Sequence, residues 1–245
     1  MAFDGTVIAC MVKELKERTE GGRITKIAQP EPDELLLTLK KDRDASRLLI
    51  SANASLPLIY FTDKNKTSPM TAPNFCMLLR KHIGTARIVS VVQPDFERII
   101  DFTLEHLDDL GDLCRKHLIV ELMGKHSNII FCDETYKIID SIKHVSAQVS
   151  SVREVLPGRD YFIPRTVEKE NPLLAEEEGF LSFLKDAPQP LYKALYGHYT
   201  GVSPAAALEI CCRASLDSGQ PANTLNELEQ THLFRTFSYY FEDIA

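Results

Sequence analysis

The spacing of apolar residues divides the chain into stretches of different period. Val7, Met11 and Leu15 recur every four residues with Ile8 and Val12 beside them, behind Asp4 and ahead of Gly21-Gly22. This stripe predicts an amphipathic helix with Asp4 as its N-cap and the two glycines as its stop. The period then shortens. ITKIAQ (24–29), ELLLTLK (34–40), RLLISA (47–52) and PLIYFT (57–62) are β-rich runs cut by PEPD, DRD and NASLP, which together predict a four-stranded meander.

APNFCMLLRKHIG (72–84) predicts a short helix, with Pro73 in its first turn and the basic triplet Arg80-Lys81-His82 before Gly84. Five further β-rich runs follow at 86–93, 97–106, 116–123, 127–133 and 137–145. In the second of them Ile100, Phe102 and Leu104 alternate with Asp101, Thr103 and Glu105, the pattern of a half-buried antiparallel strand. Nine strands and two helices are thus expected in the first 145 residues or so. After the Pro/Gly-rich connector LPGRDYFIPRT (156–166), the period returns to that of helices at 173–186, 190–199, 203–217 and 224–244. Thr200-Gly-Val-Ser-Pro204, with Ser203 as N-cap and Pro204 at the first helical position, makes the middle pair a candidate helix-hairpin-helix. Backbone N–H groups at such a helix start can face a phosphate.

Charge adds a boundary. Met1 to Arg165 carries 23 basic and 23 acidic residues, whereas Thr166 to Ala245 carries 5 and 12, so the second part holds the whole net charge of −7. Two domains are expected, 1–165 and 166–245, the first neutral enough to carry a local basic face. No apolar run is long enough to span a membrane, and the charged N-terminus does not fit a signal peptide, so a cytoplasmic protein is expected. Six scattered cysteines without CxxC spacing predict free thiols. His126 with Cys132, or His117 with Cys114, lacks the second pair that a metal site needs, and neither metal nor cofactor is expected.

ELMGKHSNIIF (121–131) sets Gly, Lys and Ser between apolar runs. A phosphate-binding loop would lead from strand into helix, but β-like text stands on both sides. The segment therefore predicts a hairpin, with Gly124 and Asn128 best able to take positive φ and with Lys125 and His126 at its tip.

Taken in order, MAFDG, GGRITKIAQP (21–30), FCMLLRKHI (75–83), ERII (97–100), IVELMGKHSNIIF (119–131), VLPGRDY (155–161) and GVSP (201–204) resemble the N-terminal part of the NFACT family, also called fibronectin-binding protein A-like, with RqcH-type members in bacteria and NEMF as the eukaryotic relative. The resemblance covers essentially the whole chain. It implies an α+β fold: an antiparallel-sheet-rich NFACT N-terminal domain, similar in fold to that of formamidopyrimidine-DNA glycosylases, followed by a small all-α helix-hairpin-helix domain. It also implies truncation before the family's coiled coil and further RNA-binding domain. The implied role is that of an adaptor rather than an enzyme. Family members bind the large ribosomal subunit, its rRNA and ribosomal proteins, with its stalled peptidyl-tRNA, and recruit alanyl-tRNA for non-templated C-terminal alanine tailing.

The family's tRNA-recruiting aspartate falls on Asp4, and its Asp-Arg pair on Glu97-Arg98, where glutamate replaces the usual aspartate. Asp4 is also an ordinary helix cap, and Arg98 carries the planar five-donor group best suited to phosphate or a guanine edge. Arg80, Lys81 and His82 read first as a solvated helix end and second as a phosphate-contacting patch. Lys125, His126, Gly201 and Ser203 complete the candidate RNA contacts, although the acidic helical part favours protein or ribosome contact over tight RNA binding.

Two rival readings stand beside it. Glycosylases of the formamidopyrimidine type use an N-terminal proline followed by glutamate, where this chain has Met1-Ala2-Phe3. A surface adhesin, suggested by the older family name, is opposed by the unpaired cysteines and by an LPGRD stretch with no apolar tail behind it.

Overall fold

The computed structural model describes residues 3–108, 110–164 and 168–244. Packing groups residues 12–92 and 99–164 in one compact unit, and residues 3–11, 93–98 and the chain from 168 onward in a second. The fold is α+β.

In the first unit, nine antiparallel strands form one sheet. They are β1 (Arg23–Ala28), β2 (Glu34–Lys41), β3 (Asp44–Ser51), β4 (Leu58–Phe61), β5 (Arg87–Val92), β6 (Ile99–Leu107), β7 (Leu113–Glu121), β8 (Asn128–Asp133) and β9 (Ile138–Ser141). The order β4-β3-β2-β1-β5-β6-β7-β8-β9 consists of two meanders joined where Arg23 of β1 pairs with Arg87 of β5. Period-2 alternation directs Ile24, Leu39, Ile88 and Leu104 to one buried face and leaves Arg23, Lys40 and Arg87 exposed on the other. Helix α2 (Asn74–Ile83) lies against β1, where Arg80 Nε donates to the Ile27 carbonyl at 2.9 Å. Pro73 precedes this helix rather than opening its first turn.

Part of the second sheet face is covered by the connector. Ile99, Ile119 and Ile130 pack with Ile138 and Val155, and with the half-buried Tyr161 and Ile163. Glu121, fully buried on this face, is paired to Arg153 at 2.5 Å and accepts from Tyr161 Oη at 2.9 Å. Asp101 is likewise buried, contrary to the solvated position that alternation gave it. It accepts from Tyr136 Oη at 2.8 Å and lies 3.0 Å from His117 Nδ1, so the neighbouring side chains take the place of water.

The β7–β8 connection contains a single 3₁₀ turn, Gly124–His126, with Gly124 at φ 60°. Asn128 does not share the left-handed conformation expected of it. It is the first residue of β8, and its side chain bonds the Lys143 backbone, accepting from its N–H and donating to its carbonyl.

The second unit holds the first turns of α1 (Gly5–Thr19) and four further helices, α3 (Glu177–Lys185), α4 (Leu191–His198), α5 (Pro204–Arg213) and α6 (Glu227–Glu242). α3 starts later than its apolar pattern suggests, because Asn171 and Pro172 set up a 3₁₀ turn, Pro172–Leu174, ahead of it. A capping box between Asn226 and Glu229 opens α6. Phe237 joins the helices, with ring centroids 5.0 Å from Phe180, 4.7 Å from Tyr199 and 4.8 Å from Phe241. Among the described residues, no helix is long and apolar enough to cross a membrane.

Candidate functional site

Two helix N-termini meet in the second unit. Asp4 caps α1, its Oδ1 accepting from Val7 N at 2.9 Å. Its Oδ2 accepts from Ser203 Oγ at 2.5 Å, while that same hydroxyl oxygen accepts from Ala206 N at 3.1 Å as the N-cap of α5. One carboxylate therefore orients both helix starts, and the backbone repeats the link where Gly5 N donates to Gly201 O at 2.7 Å. The two glycines allow a third strand of chain to approach. A Cβ on Gly201 would stand 2.2 Å, and one on Gly5 2.5 Å, from the Phe96 carbonyl oxygen.

That third strand is the 3₁₀ turn Pro94–Phe96, in which Asp95 and Phe96 both take positive φ. Gln93 Nε2 donates to the carbonyls of Gly5 and Glu97, each at 2.9 Å, and the buried Phe96 ring sits edge-on to Phe241. Such strained backbone persists only where its surroundings over-determine it, as three glycine-permitted or side-chain contacts do here. Glu97 and Arg98 leave this turn half-buried and precede β6, although their sequence reads as its first residues.

Burial pushes the Glu97 carboxyl above its usual range, a shift opposed by the Arg98 charge and backbone N–H, reinforced by Asp95 and opposed again by Lys169. Lys169 is pushed below its usual range by burial, against the attraction of Glu97, and its Nζ donates to the Tyr196 carbonyl at 2.7 Å. Arg98 is half-buried, its charge acts on both Glu97 and Lys169, and among the described residues it forms no ion pair or side-chain hydrogen bond. The Arg98 guanidinium and the Lys169 ammonium both act on the Glu97 carboxyl, while the two helix starts are capped by Asp4 and Ser203. Both oxygens of Asp4 are already engaged, which makes it the residue that holds the site in shape.

Of the candidates read from the sequence, the structure brings together Asp4, Glu97, Arg98, Gly201 and Ser203. Arg80, Lys81, His82, Lys125 and His126 all belong to the first unit. There Lys81, Lys125 and His126 are exposed, Arg80 is bonded to β1 through Nε, and the His82 ring lies 6.0 Å from that of Phe131. Gln93 and Lys169 join the site only in the fold. A glutamine before a proline and a lysine in an acidic stretch carry no local signal of their roles.

The chain belongs to the family described as NFACT N-terminal and middle domains, which it matches over residues 4–245. Among its relatives is the Rqc2 homolog RqcH of Bacillus subtilis (strain 168), 40% identical over 217 residues that make up 88% of this chain and 38% of that protein. The chain thus spans little more than a third of the length of the curated relatives it matches first. Among solved structures it is similar to the N-terminal part of the fibronectin/fibrinogen-binding protein from Streptococcus suis, with a TM-score of 0.81 at 35% identity, covering 96% of this chain and 84% of that one. It is also similar to the fibrinogen-binding protein from Staphylococcus aureus, with a TM-score of 0.83 at 29% identity, covering 100% and 83%. It is also similar to a mouse protein named ribosome quality control complex subunit NEMF, 25% identical over 151 residues that make up 62% of this chain and 13% of that protein.

Proposed function

We propose that this chain is the N-terminal part of a cytoplasmic ribosome quality-control adaptor, not an enzyme. In this reading it engages the large ribosomal subunit carrying stalled peptidyl-tRNA and helps recruit a tRNA, alanyl-tRNA for C-terminal alanine tailing. The observation that carries the reading is the glycine-lined junction of α1, α5 and the Pro94–Phe96 turn, which Arg98 follows by two residues. Arg98 is the RNA-contacting group. Glu97 and Lys169 set its electrostatic surroundings, and Asp4, Gly5, Gly201, Ser203 and Gln93 fix its position.

The test is to purify the protein from cells and sequence the RNA that accompanies it, for the native sequence and for Arg98→Ala. Large-subunit rRNA and an enriched tRNA are expected with the native protein. Loss of one phosphate- or base-directed guanidinium is expected to reduce tRNA recovery by about tenfold or more. Background levels of both RNAs with the native protein would overturn the adaptor reading.

The likeness to a fibronectin/fibrinogen-binding and a fibrinogen-binding protein favours a second reading, a fibronectin- or fibrinogen-binding surface protein. Saturable binding of immobilised fibronectin, together with release of the protein by protease treatment of intact cells, would support it over the first.

A further inference from the structure

The sheet face that the connector leaves open carries a row of charged residues. Direct cross-strand pairing sets Lys40 of β2 beside Arg23 of β1, Arg23 beside Arg87 of β5, Arg87 beside Glu105 of β6, and Glu105 beside Arg115 of β7. Directly opposed residues share a face, so five consecutive strands contribute one line of four cations and a single carboxylate. Lys26, opposite Thr38, adds a cation to the next row. Strand spacing makes the line about 19 Å long.

Like charges set side by side across strands destabilise a sheet, so this row costs stability that a surface role would offset. Lys40, Arg23, Arg87 and Arg115 are exposed, and among the described residues only Arg115 of the four has a carboxylate partner, Glu105 at 2.9 Å.

Beside the row lies an open depression lined by Val89, Ser90, Thr103, Arg115, His117, Glu134 and Thr135. His117 stands two residues from Arg115 along β7, about 7 Å away on the same face. Its Nδ1 faces the buried Asp101, which also accepts from Tyr136, and Tyr136 stacks on the imidazole with centroids 4.2 Å apart. A proton on Nδ1 donates to Asp101, and in that tautomer Nε2 is an acceptor whose ring the Asp101 and Tyr136 contacts hold in place.

We propose that this face is a second RNA-binding surface, in which the cationic row follows the phosphates and His117 Nε2 accepts from a ribose 2′-hydroxyl. Charge complementarity selects a polyanion, and an acceptor fixed close to the cations selects ribose over deoxyribose. The inference goes beyond the adaptor reading, because none of these residues belongs to the Arg98 site.

The test measures binding of a labelled single-stranded RNA of mixed sequence, and of DNA of the same sequence, across a salt series. The variant Arg23→Gln/Lys40→Gln/Arg87→Gln is compared with Lys13→Gln/Lys16→Gln/Lys185→Gln, which has the same net charge, and with Arg98→Ala. The row variant is expected to lose at least about tenfold in RNA affinity and to lower the slope of log affinity against log salt by about 2, while the charge-matched variant stays within about twofold of the native protein. The native protein is expected to prefer RNA over DNA. No binding by the native protein, an unchanged slope in the row variant, or an equal loss in the charge-matched variant would each overturn the surface. Equal affinity for DNA would remove His117 from it. A loss confined to Arg98→Ala would overturn the row and leave the adaptor reading standing.

Discussion

Gly201 shows how much of the site depends on a side chain that is absent. At φ 69° it occupies a conformation in which other residues are strained, and a Cβ there would overlap the Phe96 carbonyl oxygen. Gly201→Ala is therefore expected to lower stability by at least about 2 kcal/mol, read from the urea midpoint, and to reduce RNA recovery along with Arg98 positioning. Glu97 makes a prediction of opposite sign. Burial raises its pKa in the folded protein, so the folded form holds this proton more tightly than the unfolded form does. The resulting contribution is favourable below the ordinary value of 4.5 and is lost as pH rises from there through the folded value. Glu97→Gln should consequently be more stable than the native protein at neutral pH, with the difference closing as pH falls below that ordinary value. Urea denaturation across this range checks it, and a gap that widens toward acid would contradict the assignment of burial as the dominant cause.

Among the elements, the connector after β9 depends most on a single interaction. Arg153 reaches the fully buried Glu121 and also donates to the Phe162 carbonyl at 2.8 Å, while Tyr161 supplies the carboxylate's second bond. Arg153→Ala would leave a buried carboxylate with only a phenol for a partner, and a loss of about 3–5 kcal/mol is expected, measured by thermal or chemical unfolding. Most elements were legible in the sequence, because β-rich runs and four-residue stripes report directly on which faces are buried. What remained hidden depended on partners distant in sequence. Asp101 alternates with Ile100 and Phe102 like a solvated residue, yet His117 and Tyr136 cover it. Glu97-Arg98 continues the text of a strand, yet the Pro94–Phe96 turn ends before it and β6 starts after it. Asn128 has the composition of a turn, but pairing with Glu121 places it in β8. The ordered motifs identified the family, whereas Gln93 and Lys169 could be recognised only once the chain was folded.

At the scale of the whole molecule, two quantities follow different divisions of the chain. The acidic excess begins after residue 165, but residues 3–11 and 93–98 pack with the helices, and a count of charges along the sequence has no means of seeing that. It likewise assigns the first 165 residues no net charge, although pairing across β2, β1, β5, β6 and β7 gathers several of their cations into one line. The cysteines obey the same distinction between count and placement. All six are unpaired, with Cys10 and Cys212 exposed, Cys114 half-buried, and Cys76, Cys132 and Cys211 buried. Burial pushes the Cys132 thiol up to about 12 and that of Cys211 to about 11, and also raises Cys76, which withholds the reactive thiolate at neutral pH. Adjacent Cys211 and Cys212 should thus behave oppositely, one inward on α5 and one outward. Titration of the native protein with a chromogenic disulfide should show Cys10 and Cys212 reacting first, Cys114 more slowly because its pKa is also raised, and the other three only on unfolding. Replacing Cys10 and Cys212 with serine should abolish the fast phase, and a fast phase that survives both replacements would show that a thiol placed in the core is reached by solvent.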